Sequence, residues 1–181
     1  AILGSTGSIG QQALAVVRAF PERFRVVALT AGNNTQLLAR QITEFKPKFI
    51  HYEGEHKPMP IANYRFLPLE NIAGDEDIDL VLVATSGKAG LAPALAALRA
   101  SKTVALANKE ALVMAGEIIT SEARVNHARI LPVDSEHSAI WQCLDGKNQD
   151  IRNLILTASG GPFYNCSAEQ LHRVTPEAAL K

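Results

Sequence analysis

Asp134 and Glu136 stand two residues apart in "LPVDSEHSAIWQ", directly after an apolar run. If the backbone is still extended there, both carboxylates point the same way. Such a pair suits a hard divalent cation, Mg²⁺ or Mn²⁺, bound through oxygen. Two carboxylates leave the coordination shell incomplete, so a third protein ligand or substrate oxygens must join them. The plainer alternative is a helix start, with Asp134 as N-cap and Glu136 in the first turn. His137 is a candidate ligand or proton carrier, and equally an exposed helical histidine.

A second cluster opens the chain. Gly4, Gly7 and Gly10 lie three apart in "GSTGSIG", after the apolar scrap Ala1–Leu3. Gly-x-x-Gly-x-x-Gly between a strand and a helix is a variant of the dinucleotide fingerprint. Missing side chains let the backbone approach a pyrophosphate, and the helix N-terminus favours that anion. Thr6 and Ser8 add hydroxyl donors. A tight turn without a ligand is the alternative. About 20 residues after such glycines an NAD-specific protein carries an acid for the ribose 2′-OH. Here the neighbourhood reads Leu29-Thr30-Ala31-Gly32-Asn33-Asn34, without an acid. A carboxylate would repel a 2′-phosphate, so its absence points to NADP, with Asn33, Asn34 and Thr35 as donors.

Three further clusters follow apolar runs. Asn108-Lys109-Glu110 places a lysine where ligands of parallel sheets bind, although an exposed helix-start pair reads the same. Ser159-Gly160-Gly161 could cradle a phosphate through backbone N–H groups, or be a simple turn. Ser86-Gly87-Lys88-Ala89-Gly90 lies at the same expected sheet edge and could close over a cofactor. No Gly-x-Ser-x-Gly elbow occurs.

The elements that must position these residues alternate. Strands are expected at Ala1–Leu3, Phe24–Leu29, Lys48–His51, Asp79–Thr85, Lys102–Leu106, Arg129–Val133 and Arg152–Thr157, and the stretch 51–77, broken by prolines and glycines, reads as a short helix or loop, with a short strand at Tyr64–Leu67 as the alternative. Helices are expected at Ser8–Phe20, Asn34–Phe45, Leu91–Ala100, Lys109–Ala123 and Ser135–Leu144. Near-continuous apolar strands alternating with helices predict an α/β fold: a doubly wound, mostly parallel, Rossmann-like sheet. Motif density changes after Val133, so residues 1–133 read as the cofactor domain and 134–181 as the start of an α/β catalytic domain. Thr175 is a plausible N-cap with Pro176 at the first helical position.

Composition excludes some classes. Lys+Arg and Asp+Glu are both 18, and no polybasic run occurs, which argues against nucleic acid. No apolar run approaches the ~18 residues of a spanning helix, which argues against a membrane protein. The 2 cysteines, Cys143 and Cys166, form neither a disulfide framework nor a zinc pattern. The chain lacks an initiator Met, and the expectation is that its N-terminus, with any targeting segment, lies upstream of Ala1.

In order, "GSTGSIG", "AGNN", "LANKEALV", "LPVDSEHSAIWQ" and "ASGGPF" closely resemble the 1-deoxy-D-xylulose 5-phosphate reductoisomerase family over the whole chain, least so at 51–77. The resemblance implies a homodimeric enzyme of non-mevalonate isoprenoid synthesis that fosmidomycin inhibits. Its substrate is a small phosphorylated sugar, 1-deoxy-D-xylulose 5-phosphate, rearranged and reduced to 2-C-methyl-D-erythritol 4-phosphate. It uses NADPH and Mg²⁺, Mn²⁺ or Co²⁺, in a bacterial cytoplasm or a plastid-type organelle. It also implies roles. Thr6, Gly7, Ser8 and Ile9 hold the pyrophosphate, Gly4 and Gly10 belong to the same cofactor-binding turn, and Gly32, Asn33 and Asn34 hold the adenosine 2′-phosphate end. Asn108 and Glu110 bind cofactor, and Asp134 and Glu136 bind metal. Lys109, Ser135, Glu136 and Ser159 bind substrate, with Lys109, Asp134 and Glu136 catalytic. The family pattern continues past Lys181 with a flexible loop, a phosphate-binding stretch and a third acidic ligand, so the 181 residues alone are expected to be inactive. Rival readings are another NADP oxidoreductase of similar fold, such as a semialdehyde or homoserine dehydrogenase, and a non-catalytic nucleotide sensor. The sensor leaves the Asp134/Glu136 pair unexplained.

Overall fold

The structure is a computed structural model of the chain and describes residues 1–55, 63–144, 151–155 and 160–179. The chain divides into two compact units, Ala1–Cys143 and Leu144–Lys181.

The first unit is built on one 7-stranded sheet. Its strands are β1 (Ile2–Leu3), β2 (Ala28–Ala31), β3 (Phe49–Tyr52), β4 (Arg65–Phe66), β5 (Leu80–Val83), β6 (Thr103–Leu106) and β7 (Arg129–Pro132). Their order is β4-β3-β2-β1-β5-β6-β7, and every neighbouring pair is parallel. The helices are α1 (Ser8–Ala19), α2 (Thr35–Phe45), α3 (Leu69–Gly74), α4 (Leu91–Arg99), α5 (Lys109–Val125) and α6 (Ser135–Leu144), with a 3₁₀ turn at Gly87–Gly90. This is the doubly wound architecture expected.

Alternation within short strands makes the two layers. Leu3, Val81, Val83, Val104 and Leu106 face one side, where Ile72, Ala94, Ala97, Leu98, Ala111 and Ile119 from α3, α4 and α5 cover them. Ile2, Leu29, Ile50, Leu82 and Ala105 face the other, against Leu14 of α1 and Leu38 and Ile42 of α2. Both faces are apolar, so the strands read as continuous hydrophobic runs. The strand order reverses beside β1, and ligands of such sheets bind at that point, outside the carboxyl ends of the strands.

Two expected strands differ. β2 begins at Ala28 rather than Phe24. Its ladder with β3 opens at Ala28–Phe49, while Phe24 lies exposed. Val26 and Val27 are buried ahead of the ladder, where Val27 O accepts the Lys48 and Phe49 N–H groups, so apolarity overstated the strand. At Arg152–Thr157, the described residues to Ile155 are exposed and carry no strand, and 156 and 157 lie outside the described residues. An isolated strand leaves its N–H and C=O groups unpaired, and no other strand is described in that unit.

By itself, the second unit shows two short helices, α7 (Ala168–Leu171) and α8 (Pro176–Ala179). Ser167 and Gln170 form a capping box on α7. The Thr175 hydroxyl accepts the Ala178 N–H at 3.3 Å, as expected for the cap of a helix opening on Pro176.

Candidate functional site

The glycine turn is held by shape. Gly4 has φ +86°, and a Cβ there would lie 2.6 Å from Ala84 O. A Cβ on Gly10 would lie 2.3 Å from Gly4 O and 2.6 Å from Ser5 Cα. These two glycines let the strand end, the turn and α1 interlock. Gly7 differs: it is the N-cap of α1 at φ −75°, and its Cβ would meet nothing nearer than Gly4 O at 3.4 Å. Gly7 has no side chain to cap α1, and the N–H groups of the first turn, from Ser8, Ile9 and Gly10, have no intrahelical acceptor. The site thus offers free donors with open backbone beside them, which is what a pyrophosphate requires.

A buried polar network braces this turn. Ser5 N–H donates to Thr30 O at 2.7 Å, and Gly4 N–H to Thr30 Oγ1 at 2.9 Å. Ser5 Oγ lies 2.6 Å from Gln41 Oε1 and 3.0 Å from Thr30 O. Gln41 Nε2 returns a hydrogen bond to Ser5 O at 2.9 Å. Ser5, Thr30 and Gln41 are all buried, so β2 and α2 both grip the turn. Neither Thr30 nor Gln41 stood out in the sequence, where they read as ordinary polar residues of a strand end and an amphipathic helix.

A cavity of about 370 Å³ opens beside the turn, within the usual range for small-ligand sites. Gly4, Thr6 and Gly7 line one end, and Gly32, Asn33 and Asn34 another. Asn34 caps α2: its Oδ1 accepts Leu37 N–H at 3.1 Å, which leaves its amide nitrogen to donate to a ligand. The wall opposite comes from Ala84, Thr85, Ser86 and Ala89. Thr85 Oγ1 is buried there without a hydrogen-bond partner among the described residues. His51 and Glu53, from the end of β3, also line the cavity. His51 donates from Nδ1 to Leu67 O at 2.9 Å and stacks on Phe66. Nothing in the sequence marks this pair, because the acid of NAD-specific sheets follows the second strand and not the third.

Asn108 caps α5, accepting Ala111 N–H at 2.8 Å. Its Nδ2 donates to Thr85 O at 2.6 Å and Gly87 O at 2.8 Å. The side chain is buried and its amide fully engaged, so it bears on the cavity through the Thr85–Gly87 wall it holds. Gly90 is small for the same reason, since a Cβ there would lie 2.8 Å from Asn108 Cγ. Glu110 is exposed in the first turn of α5, away from the cavity lining.

Next along the sheet edge, Lys109 Nζ lies 3.2 Å from Asp134 Oδ1 and 3.7 Å from Glu136 Oε2. Both carboxylates therefore converge on one positive charge, although Ser135 and Glu136 are already helical. His137 Nδ1 lies 2.8 Å from Asp134 Oδ2, and Ser135 Oγ donates to Glu136 Oε2 at 2.6 Å. Partial burial pushes the Asp134 carboxyl up, but hydrogen bonds from His137 and Lys109 outweigh it and hold the group below its usual range. The Ser135 hydroxyl, the helix-start N–H and the Lys109 charge lower Glu136. The Asp134 hydrogen bond and both carboxylates raise Lys109. The donor set is ionised oxygen, which fits a hard divalent cation. Among the described residues no three such side chains form a metal site, so the pair by itself offers two ligands at most. Ser159 lies outside the described residues.

An all-parallel sheet with a glycine turn at its switch point and a cavity over the strand ends makes this first unit a Rossmann-like domain of dinucleotide-binding type. The family is now shown: the chain belongs to the 1-deoxy-D-xylulose 5-phosphate reductoisomerase family. The profile of that description matches residues 1–116, and that of the family's C-terminal domain matches 130–181. The reductoisomerase of Pelotomaculum thermopropionicum is 46% identical over 99% of this chain and 50% of its own length. That of Bacteroides fragilis is 49% identical over 100% of this chain and 50% of its own. Among solved structures, DOX-P reductoisomerase with magnesium is 36% identical with TM-score 0.80, covering 99% of this chain and 50% of that one. The Zymomonas mobilis enzyme in complex with NADPH is 38% identical with TM-score 0.79, over the same shares. The chain spans about half the length of the curated relatives it matches.

Proposed function

We propose that this chain supplies the cofactor seat and two metal carboxylates of a reductoisomerase. The complete protein would convert 1-deoxy-D-xylulose 5-phosphate to 2-C-methyl-D-erythritol 4-phosphate in non-mevalonate isoprenoid synthesis, as a homodimer. One observation carries the reading: Lys109, Asp134 and Glu136 converge beside the glycine-turn cavity, at one edge of one sheet. Residues 1–133 would serve the cofactor and 134–181 would begin the catalytic part. A relative solved with NADPH, fosmidomycin and magnesium, 37% identical with TM-score 0.78, supports the cofactor assignment.

The chain's own groups divide the work. The first-turn N–H groups of α1 and Thr6 would hold the pyrophosphate, and Asn34 with the α2 N-terminus would meet the 2′-phosphate. Asp134 and Glu136 would hold the divalent cation, being ionised across the neutral range. When bound, the cation supplies Lewis acidity at substrate oxygens and NADPH supplies hydride. Lys109 would turn its ammonium toward oxyanion charge developing on the substrate during the carbon–carbon rearrangement. Ser135 would orient Glu136 and donate to the substrate.

The test uses a protein carrying this chain at the length of its relatives. NADPH oxidation should require both the deoxyxylulose phosphate and Mg²⁺ or Mn²⁺. Turnover that survives thorough chelation would overturn the metal role, and turnover without the sugar phosphate the substrate assignment.

A further inference from the structure

The cavity that would receive NADPH has an unexpected charge balance. Among its described lining residues there is no lysine or arginine, and the single carboxylate is Glu53. Its position is built by the backbone. Glu53 N–H donates to Gly32 O at 3.2 Å, extending the β2–β3 pairing one step past Tyr52. Gly54 then lets this strand end lie against the neighbouring loop, since a Cβ there would come 3.0 Å from Thr35 Cγ2 and 3.4 Å from Asn33 Cα. Glu53 thus shares the cavity lining with Gly32, Asn33 and Asn34, the segment read as the 2′-phosphate end.

Resting on the cofactor reading above, we propose that Glu53 is a specificity-determining residue, its carboxylate opposing the 2′-phosphate and narrowing the preference for NADPH over NADH. The α2 N-terminus and the Asn34 amide favour a phosphate there. Both are neutral donors with partial charge, so one full negative charge in the lining weighs heavily against them. Toward NADH the same carboxylate is harmless or helpful, because a ribose 2′-hydroxyl can donate to it. Glu53 does from the end of β3 what an acid at the end of β2 does in NAD-specific sheets.

The test is titration of a protein carrying this chain at the length of its relatives with NADPH and with NADH, read by nucleotide fluorescence, for the wild type, Glu53→Gln and Glu53→Lys. Glu55→Gln serves as control, being an exposed acid two residues on and outside the lining. The NADPH-to-NADH affinity ratio should rise roughly five- to tenfold in Glu53→Gln, for a dianionic phosphate within about 7 Å. It should rise further in Glu53→Lys, stay put in Glu55→Gln, and the gain should shrink at high salt. A ratio that is unchanged or falls in Glu53→Gln overturns the inference while leaving the cofactor reading intact. An equal gain for both nucleotides does the same, since the carboxylate would then act on the shared pyrophosphate. Binding of neither nucleotide by the wild type overturns the cofactor reading and this inference with it.

Discussion

Lys109 Nζ stands 3.2 Å from Asp134 Oδ1, joining the residues that follow two adjacent parallel strands, β6 and β7. The ladder sets this pairing: Leu106 is in register with Pro132, and Val133 N–H donates to Leu106 O at 3.0 Å. Both side chains then leave the same edge of the sheet a few residues later. The carboxylate is largely shielded and the lysine is half exposed, so the cluster holds its charges together without removing them from water.

The ion cluster has a defined pH window. Asp134 and Glu136 titrate below their ordinary values, so their contribution is present above the ordinary carboxylate range and lost as pH falls through the lowered values. Lys109 titrates above its ordinary value, so its contribution is complete below that value and lost as pH rises through the raised one. Carboxyl NMR titration should find Asp134 below the usual aspartate range. In Lys109→Met its midpoint should move upward.

Asp134→Asn and Glu136→Gln should divide the site. Each would remove one proposed oxygen ligand, so Mn²⁺ binding followed by electron paramagnetic resonance should weaken by at least about tenfold. NADPH affinity should change by less than about twofold, because neither residue lines the cavity. Parallel loss of metal and nucleotide would show that the two places are one.

The glycines should separate by role. Gly10→Ala forces backbone contacts and should cost about 1–3 kcal/mol or more of stability. Gly7→Ala has room and an ordinary φ, and should cost no more than about 1 kcal/mol. It should still weaken NADPH binding about tenfold or more by filling the approach to the pyrophosphate. Thermal melts beside nucleotide titrations give both numbers.

Gln41→Leu should reach the cofactor from inside the protein. It leaves Ser5 O without its donor and Ser5 Oγ with one acceptor fewer, which costs about 1–3 kcal/mol in a buried place. The turn then loses its tie to α2, so NADPH affinity should fall while NADPH still protects against unfolding. Unaltered affinity in a destabilised protein would confine Gln41 to stability.

Much of this was legible because it was local. Gly4, Gly7 and Gly10 announce a turn by their spacing, and Asp134 and Glu136 announce a charged strand end by what precedes them. The apolar runs of β5 and β6 could hardly be anything but buried strands. Contacts made across the sheet were not legible. Gln41 sits between Arg40 and Ile42 as one more polar helix residue, and only folding brings it against Ser5. Glu53 follows a strand like many acids do, and its meaning depends on Gly32 lying beside it. β2 starts later than its apolar run because Val26 and Val27 are buried ahead of the ladder, which opens at Ala28–Phe49, and a sequence shows burial more readily than register.

One amide, that of Asn108, ties Thr85 and Gly87 to the first turn of α5. The cavity wall and the helix start that carries Lys109 therefore share one anchor. Removing that one side chain would free both at once.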